Sequence, residues 1–112
     1  MKLILCIIPP RKLEAAKMAL WEAGVRGVTI TSGEGYGYQK VQVESVKGTD
    51  YKVQYQPRAR LEVALPDDEV EPVLELLVET VRTGRIGDGK IFVLPLDDAI
   101  RVRTGERREN AL

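Results

Sequence analysis

Three observations predict an α+β, ferredoxin-like domain: an antiparallel sheet with both helices on one face. Apolar runs and turn residues follow the order strand, helix, strand, strand, helix, strand, which is the split β-α-β arrangement. Arg58 to Leu65 alternates with period two, as a half-buried strand must. Val70, Val73, Leu74, Leu77, Val78 and Val81 recur at helical spacing and give one apolar stripe.

Each element has its own signal. Leu3 to Ile8 is continuously apolar and reads as a strand buried on both faces, stopped by Pro9 and Pro10. Leu13, Ala16 and Leu20 then repeat at helical spacing, with Met18 and Trp21 nearby, and Gly24 marks the helix end. "GVTIT" (27–31) is the second strand, and "SGEGYG" punctuates it. Val41, Val43, Val53 and Tyr55 alternate with polar residues about "KGTD" (47–50), as in an extended hairpin turning at Gly48. An excursion from Ser32 to Gln56 is long for a connection in a compact domain, and such connections are usually functional or mobile. In the third strand Ala59, Leu61, Val63 and Leu65 face one way, with Arg58, Arg60 and Glu62 opposite. Pro66 ends it. Asp67 or Asp68 is the expected cap of the second helix, with Asp68 and Glu71 approximating a capping box and Pro72 in the first turn. "KIFVLPL" (90–96) is the fourth strand, and "AIRVRTGE" (99–106) an extended tail before a solvated "RRENAL".

The chain has 112 residues, which suits a single domain spanning 1–112. Lysine plus arginine balance aspartate plus glutamate at 17 each, so no long-range field recruits nucleic acid or an anionic membrane. There is no histidine, which excludes Ser-His and Cys-His nucleophile pairs and histidine-based metal sites. Any metal is expected to be held by oxygen, as magnesium shared with phosphates is. The single cysteine, Cys6, lies in an apolar run and suits a reducing compartment. The apolar stretch at 3–8 is too short for a signal peptide or a membrane span, so a cytoplasmic location without direct membrane insertion is expected. Both central strands lack the paired aromatics of RNA-binding ferredoxin-like modules, so no nucleic-acid partner is expected. A sheet covered by helices on one side leaves apolar residues of the first and fourth strands on the open side. That patch is larger than monomers normally expose, and other subunits are expected to bury it.

The stretch "TGRIGDGKIFV" (83–93) carries the chemistry. Gly84, Gly89 and Lys90 fit most of the phosphate-loop pattern G-x-x-x-x-G-K, but Ile91 stands where Ser or Thr should ligate magnesium. A phosphate loop also runs from strand into helix, whereas here a helix leads into a strand, so that mechanism does not apply. Gly84, Gly87 and Gly89 still permit positive φ, and successive N–H groups there can form an anion nest beside Lys90. Arg101 and Arg103, two apart in an extended tail, would share one face, and guanidinium forks suit phosphate oxygens. The glycine run alone reads equally well as a turn. Taken with the arginine pair it favours a polyphosphate site. No histidine and no evident carboxylate to orient water stand beside the loop, so no enzyme is expected.

At these residues the sequence resembles the PII nitrogen-regulatory signal proteins. "TGRIGDGKIFVLPL" follows that family's most diagnostic motif position by position, and "RVRTGE" its C-terminal loop (101–106). "GYGYQK" falls where the family's large flexible loop begins (37–55 here), and 83–90 is the phosphate-binding loop. The resemblance spans nearly the whole chain and implies a homotrimer of ferredoxin-like subunits. Such trimers bind ATP or ADP competitively in clefts between subunits and, with Mg2+-ATP, sense 2-oxoglutarate. Through the large loop they act on ammonium transporters or on nitrogen-assimilation enzymes and regulators.

Carried over by position, the resemblance implies that Gly87, Asp88, Gly89 and Lys90 cradle the phosphates with Arg101 and Arg103 from a neighbouring subunit. Gly35, Gly37 and Tyr38 would lie against the nucleotide, and Thr29, Glu62 and Ala64 would line its adenine and ribose end. Gln39 would donate its side-chain oxygen to magnesium, with Lys40, Val41 and Arg58 completing the 2-oxoglutarate site. Three positions depart from the family's habit. Tyr38 replaces a common arginine, Val41 a common glycine, and Arg58 a common lysine. Tyr38 supplies no charge, β-branched Val41 resists positive φ, and Arg58 is larger and forked. These changes leave open an alternative with the same nucleotide cleft and a different second effector, such as bicarbonate, or none. Tyr51 stands at the position uridylylated in some bacteria, although "VKGTDY" (46–51) departs from that motif.

Overall fold

The computed structural model describes residues 1–41 and 50–112, and side chains at 1–37 and 55–112. Four strands and two helices follow the expected order. They are β1 (Lys2–Ile8), α1 (Leu13–Glu22), β2 (Thr29–Val41), β3 (Asp50–Leu65), α2 (Asp67–Val81) and β4 (Lys90–Pro95). The strands form one sheet in the order β2-β3-β1-β4, every pairing antiparallel. This is the ferredoxin-like arrangement.

The core lies between one sheet face and the helices. Ile4, Cys6 and Ile8 of β1, and Ala59, Leu61, Val63 and Leu65 of β3, are buried against Ala16 and Leu20 of α1 and Val70, Val73, Leu77 and Val81 of α2. Burial there pushes the Cys6 thiol up to about 11, so it stays protonated. β1 was expected to be buried on both faces, but within one chain Leu3, Leu5 and Ile7 are only half-buried. Across the ladder they meet Leu94, Phe92 and Lys90 of β4 on the face without helices. Phe92 and Leu94 remain 47% and 40% exposed there.

Helix α1 ends where Gly24 predicts, in a Schellman motif. The N–H of Val25 donates to the Leu20 carbonyl and that of Gly24 to the Trp21 carbonyl, with Gly24 at φ 86°. Met18 and Trp21 turn outward, Trp21 being 72% exposed. Helix α2 departs from expectation at its start. Pro66 is its N-cap and no side chain caps it. The capping box therefore does not form. Pro72 lies in the second turn, not the first, because the helix already begins at Asp67.

Two segments are longer or more folded than expected. β2 does not end at Thr31, because β3 supplies partners through the glycine run. Gly33 pairs with Arg58, Gly35 with Gln56, and Gly37 with Gln54. The paired ladder thus reaches Val41 and Asp50, inside the expected 37–55 loop, and positions 42–49 lie outside the described residues. The 99–106 tail is not extended either. Ile100 bridges Arg107, the Arg101 N–H donates to the Glu106 carbonyl, and the Arg108 N–H donates to the Ala99 carbonyl. A short 3-10 helix (Arg108–Ala111) follows.

Candidate functional site

The loop 83–89 joins α2 to β4 at one end of the sheet, and its backbone explains its glycines. Gly84, Gly87 and Gly89 have φ of 83°, 102° and 104°. Gly89 is held most closely. A Cβ there would sit 2.0 Å from the carbonyl oxygen of Ile7, so only glycine lets the loop close onto β1.

The near side of the loop is tied by Asp88. Its Oδ2 accepts the N–H of Thr83 at 2.8 Å and that of Gly84 at 2.9 Å. Its Oδ1 accepts the Thr83 hydroxyl, whose oxygen in turn accepts the N–H of Arg85 at 3.2 Å. The Thr83 hydroxyl, followed by the two N–H donors, holds the Asp88 carboxyl below the usual carboxylate range. Asp88 is among the residues expected to cradle phosphates; its carboxylate is engaged inside the loop.

A cavity of about 530 Å³ opens beside this loop. Its walls include Gly35 and Gly37 of β2, Arg58 of β3, and Gly87, Asp88, Gly89 and Lys90. Arg85, Tyr36, Ile7 and Phe92 also line it. The structure thus gathers Gly35, Gly37, Arg58 and the loop residues, which lie far apart in sequence. Among the described residues, three cations, Arg58, Arg85 and Lys90, line one cavity whose single carboxylate, Asp88, is already hydrogen-bonded. Sequence reasoning missed Arg85, although a cation between Gly84 and Gly87 was itself a signal. It also missed Tyr36, whose ring packs at a tilt against Tyr55 with centroids 5.1 Å apart.

Arg58 is not extended into open space. Its guanidinium donates to the Pro57 carbonyl at 3.0 Å and to Gln56 Oε1 at 3.2 Å. Its stem lies over Gly35, where a Cβ would meet Arg58 Cγ at 3.3 Å.

Thr29, Glu62 and Ala64 are brought together elsewhere. Thr29 pairs with Glu62 across β2 and β3, and all three line a second open cavity of about 660 Å³ with Gly27, Val28 and Glu109. Thr29 and Gly35 are six residues apart on β2, roughly 20 Å along the strand. Of the residues expected to meet a nucleotide, Gly35, Gly37 and the 87–90 loop therefore line one cavity, and Thr29, Glu62 and Ala64 line another.

Arg101 and Arg103 line neither cavity. They do not share a face of an extended strand, because 102–104 is a turn. The Arg101 guanidinium donates to Glu106 Oε1 and to the Leu112 carbonyl, both at 3.1 Å, and Arg103 is exposed. The side chains of Tyr38, Gln39, Lys40, Val41 and Tyr51 lie outside the described residues; their backbones belong to β2 and β3. Among the described residues, no group of histidine, cysteine, aspartate or glutamate forms a metal centre, and no helix is long and apolar enough to cross a membrane.

Comparison with known proteins agrees with this architecture. The family described as "Nitrogen regulatory protein P-II" matches residues 1–106. Nitrogen regulatory protein P-II of Azospirillum brasilense is 44% identical, and that of Haemophilus influenzae (strain Rd) 45%, each over the full length of both chains. Among solved structures, Bacillus subtilis GlnK superposes with a TM-score of 0.84 at 31% identity, covering 99% of this chain and 97% of its own. Arabidopsis thaliana PII bound to citrate gives 0.81 at 38% identity, covering 99% and 91%. Whole-length identity, a shared fold and a glycine loop built as the motif requires lead to one conclusion: this chain belongs to the P-II family of nitrogen regulatory proteins.

Proposed function

We propose that the chain is a homotrimeric regulator, not a turnover enzyme, which binds ATP or ADP competitively and signals through residues 37–55. The observation that carries this reading is the 530 Å³ cavity, where Arg58, Arg85 and Lys90 converge beside the glycine loop. A triphosphate needs multiple cations and close backbone approach, and this end of the sheet offers both. The adenine and ribose would lie against Thr29, Glu62 and Ala64 of a neighbouring subunit. The separation of the two cavities within one chain supports a cleft between chains. Arg101 and Arg103 would reach the phosphates from that neighbour, with Arg101 exchanging its Glu106 partner for phosphate oxygens.

Magnesium fits as a companion of the nucleotide. Among the described residues the one carboxylate lining the cavity, Asp88, is occupied by Thr83 and Gly84, so the metal would be held by phosphate oxygens with the Gln39 side chain. In that state 2-oxoglutarate would contact Gln39, Lys40, Val41 and Arg58. Loop-borne residues, Tyr51 among them as a uridylylation target, would engage ammonium transporters or nitrogen-assimilation proteins in the cytoplasm. A second reading keeps the nucleotide and replaces 2-oxoglutarate with another effector or none. The commitment of Arg58 to Gln56 and Pro57 favours it, since binding a dicarboxylate would require that guanidinium to leave both partners.

Isothermal titration separates these readings. ATP and ADP should each bind and displace one another, and Lys90→Ala should weaken ATP about tenfold or more through loss of a charge-assisted contact. Heat on adding 2-oxoglutarate only with Mg2+-ATP supports the first reading, and its absence the second. A monomer with no affinity for either nucleotide at millimolar concentration overturns both.

A further inference from the structure

We propose that the side chains of Thr83 and Asp88 form a brace that pre-shapes the glycine loop for a phosphate chain, making Asp88 a positioning residue rather than a phosphate ligand; this rests on the nucleotide reading above. Three donors converge on one carboxylate. They are the N–H groups of Thr83 and Gly84 and the Thr83 hydroxyl. The excursion 84–87 is thereby closed across its base by side-chain chemistry. The Arg85 N–H, donating to the same hydroxyl oxygen, ties the cavity-lining arginine into the ring. Gly89 fixes the other side of the loop by its closeness to the Ile7 carbonyl. Held at both ends, the loop needs little ordering when a ligand arrives, and pre-organisation of this kind raises affinity.

The same geometry resolves an electrostatic difficulty. A free carboxylate beside a polyphosphate repels it. Here the Asp88 charge is spent on the loop's own donors, so it stabilises the shape that receives the anion. Charge alone and the brace therefore predict opposite signs. If Asp88 acted only as a nearby negative charge, its removal would tighten ATP. If it acts as the brace, removal weakens ATP although a repulsive charge has gone.

The test measures ATP affinity calorimetrically for the wild-type chain, Asp88→Ala, Thr83→Val and Thr83→Ser, with amide hydrogen exchange across 84–89 and circular dichroism to verify folding. The brace predicts about tenfold or greater weakening in Asp88→Ala and Thr83→Val, since each opens a loop that ligand must then reorder. It also predicts faster exchange at 84–89 in both, with both properties retained in Thr83→Ser. Thr83→Val leaves every charge in place and decides the matter if Asp88→Ala does not fold. ATP binding in Thr83→Val or Asp88→Ala as tight as wild type, or tighter, overturns the brace and leaves the nucleotide reading intact. Weakened binding with unchanged exchange also overturns it, in favour of direct ligation. A wild-type chain that binds no ATP overturns the nucleotide reading, and this inference with it.

Discussion

Gly89 combines two constraints that the other loop glycines do not share. Gly84 and Gly87 need positive φ but have open space where a Cβ would stand, whereas at Gly89 that atom would collide with the Ile7 backbone. Gly84→Ala should cost about 1–2 kcal/mol, the penalty of the left-handed region alone. Gly89→Ala adds a backbone clash that no rotamer relieves, so it should cost clearly more, measured by urea unfolding of both variants. Equal costs would mean that the loop does not press on β1. A second residue-scale device closes the C-terminal turn, where the Asp98 carboxylate accepts from the Arg107 guanidinium and from the Ala99 N–H. The arginine bond chiefly holds the Asp98 carboxyl below its ordinary value. A depressed folded value means that this contribution is full above the unfolded pKa and is lost as pH falls through the folded one. Protection of the Arg108 amide should therefore persist at neutral pH and fade only below roughly pH 4. Asp98→Ala should remove that protection at pH 7, as hydrogen exchange would report.

Helix α2 shows why an element can be legible in sequence while its ends are not. Its apolar stripe names Val70, Val73, Leu77 and Val81, and these are the residues buried; Leu74 and Val78, at the stripe's edge, are only partly covered. Leu77→Ala removes a fully buried side chain and should cost about 2–5 kcal/mol. Pro72 works the other way. In the second turn it denies the Asp68 carbonyl its helical partner, so Pro72→Ala should stabilise the protein by about 1–2 kcal/mol, less than the full interior proline penalty. No change in the unfolding midpoint would mean that the surrounding turn has already relaxed around the ring. The start of the helix was misjudged because acidic residues resemble caps, whereas Pro66 takes that position with its own fixed φ. The reach of β2 was hidden for a related reason. Gly33, Gly35 and Gly37 erase the alternation that marks a strand, yet their backbones pair as well as any others when β3 runs alongside. The C-terminal turn depends on contacts such as Arg101 with Glu106, which follow no period. Within the site, the glycine loop and Lys90 were legible because backbone freedom demands glycine. Arg85, Tyr36 and the inward turn of Asp88 were not, because they follow from how the loop closes and which strand it meets.

At the scale of the whole molecule, the open sheet face and the divided site call for the same solution. Leu3, Leu5, Ile7, Phe92 and Leu94 present an apolar surface that helices cannot reach, since both helices pack on the other face. On the proposed nucleotide reading, the two cavities separated along β2 would be completed by a neighbour. A closed three-fold assembly would bury the face and bring one chain's glycine loop to the next chain's Thr29, Glu62 and Ala64. Leu5 tests this because it lines neither cavity itself, although its ladder partners, Glu62 on one side and Phe92 on the other, each line one. Leu5→Lys places a cation opposite Glu62, which an isolated half-exposed sheet tolerates. In an apolar assembly interface the same cation would be desolvated at a cost of several kcal/mol. The wild-type chain should therefore sediment at three times its 12.5 kDa protomer mass, and Leu5→Lys as the protomer with native circular dichroism. Its ATP affinity should fall with its assembly although every cavity residue is intact. A Leu5→Lys protein that stays trimeric would show that this face is not the contact, and a monomer that still binds ATP like the wild type would show that one chain holds the whole site.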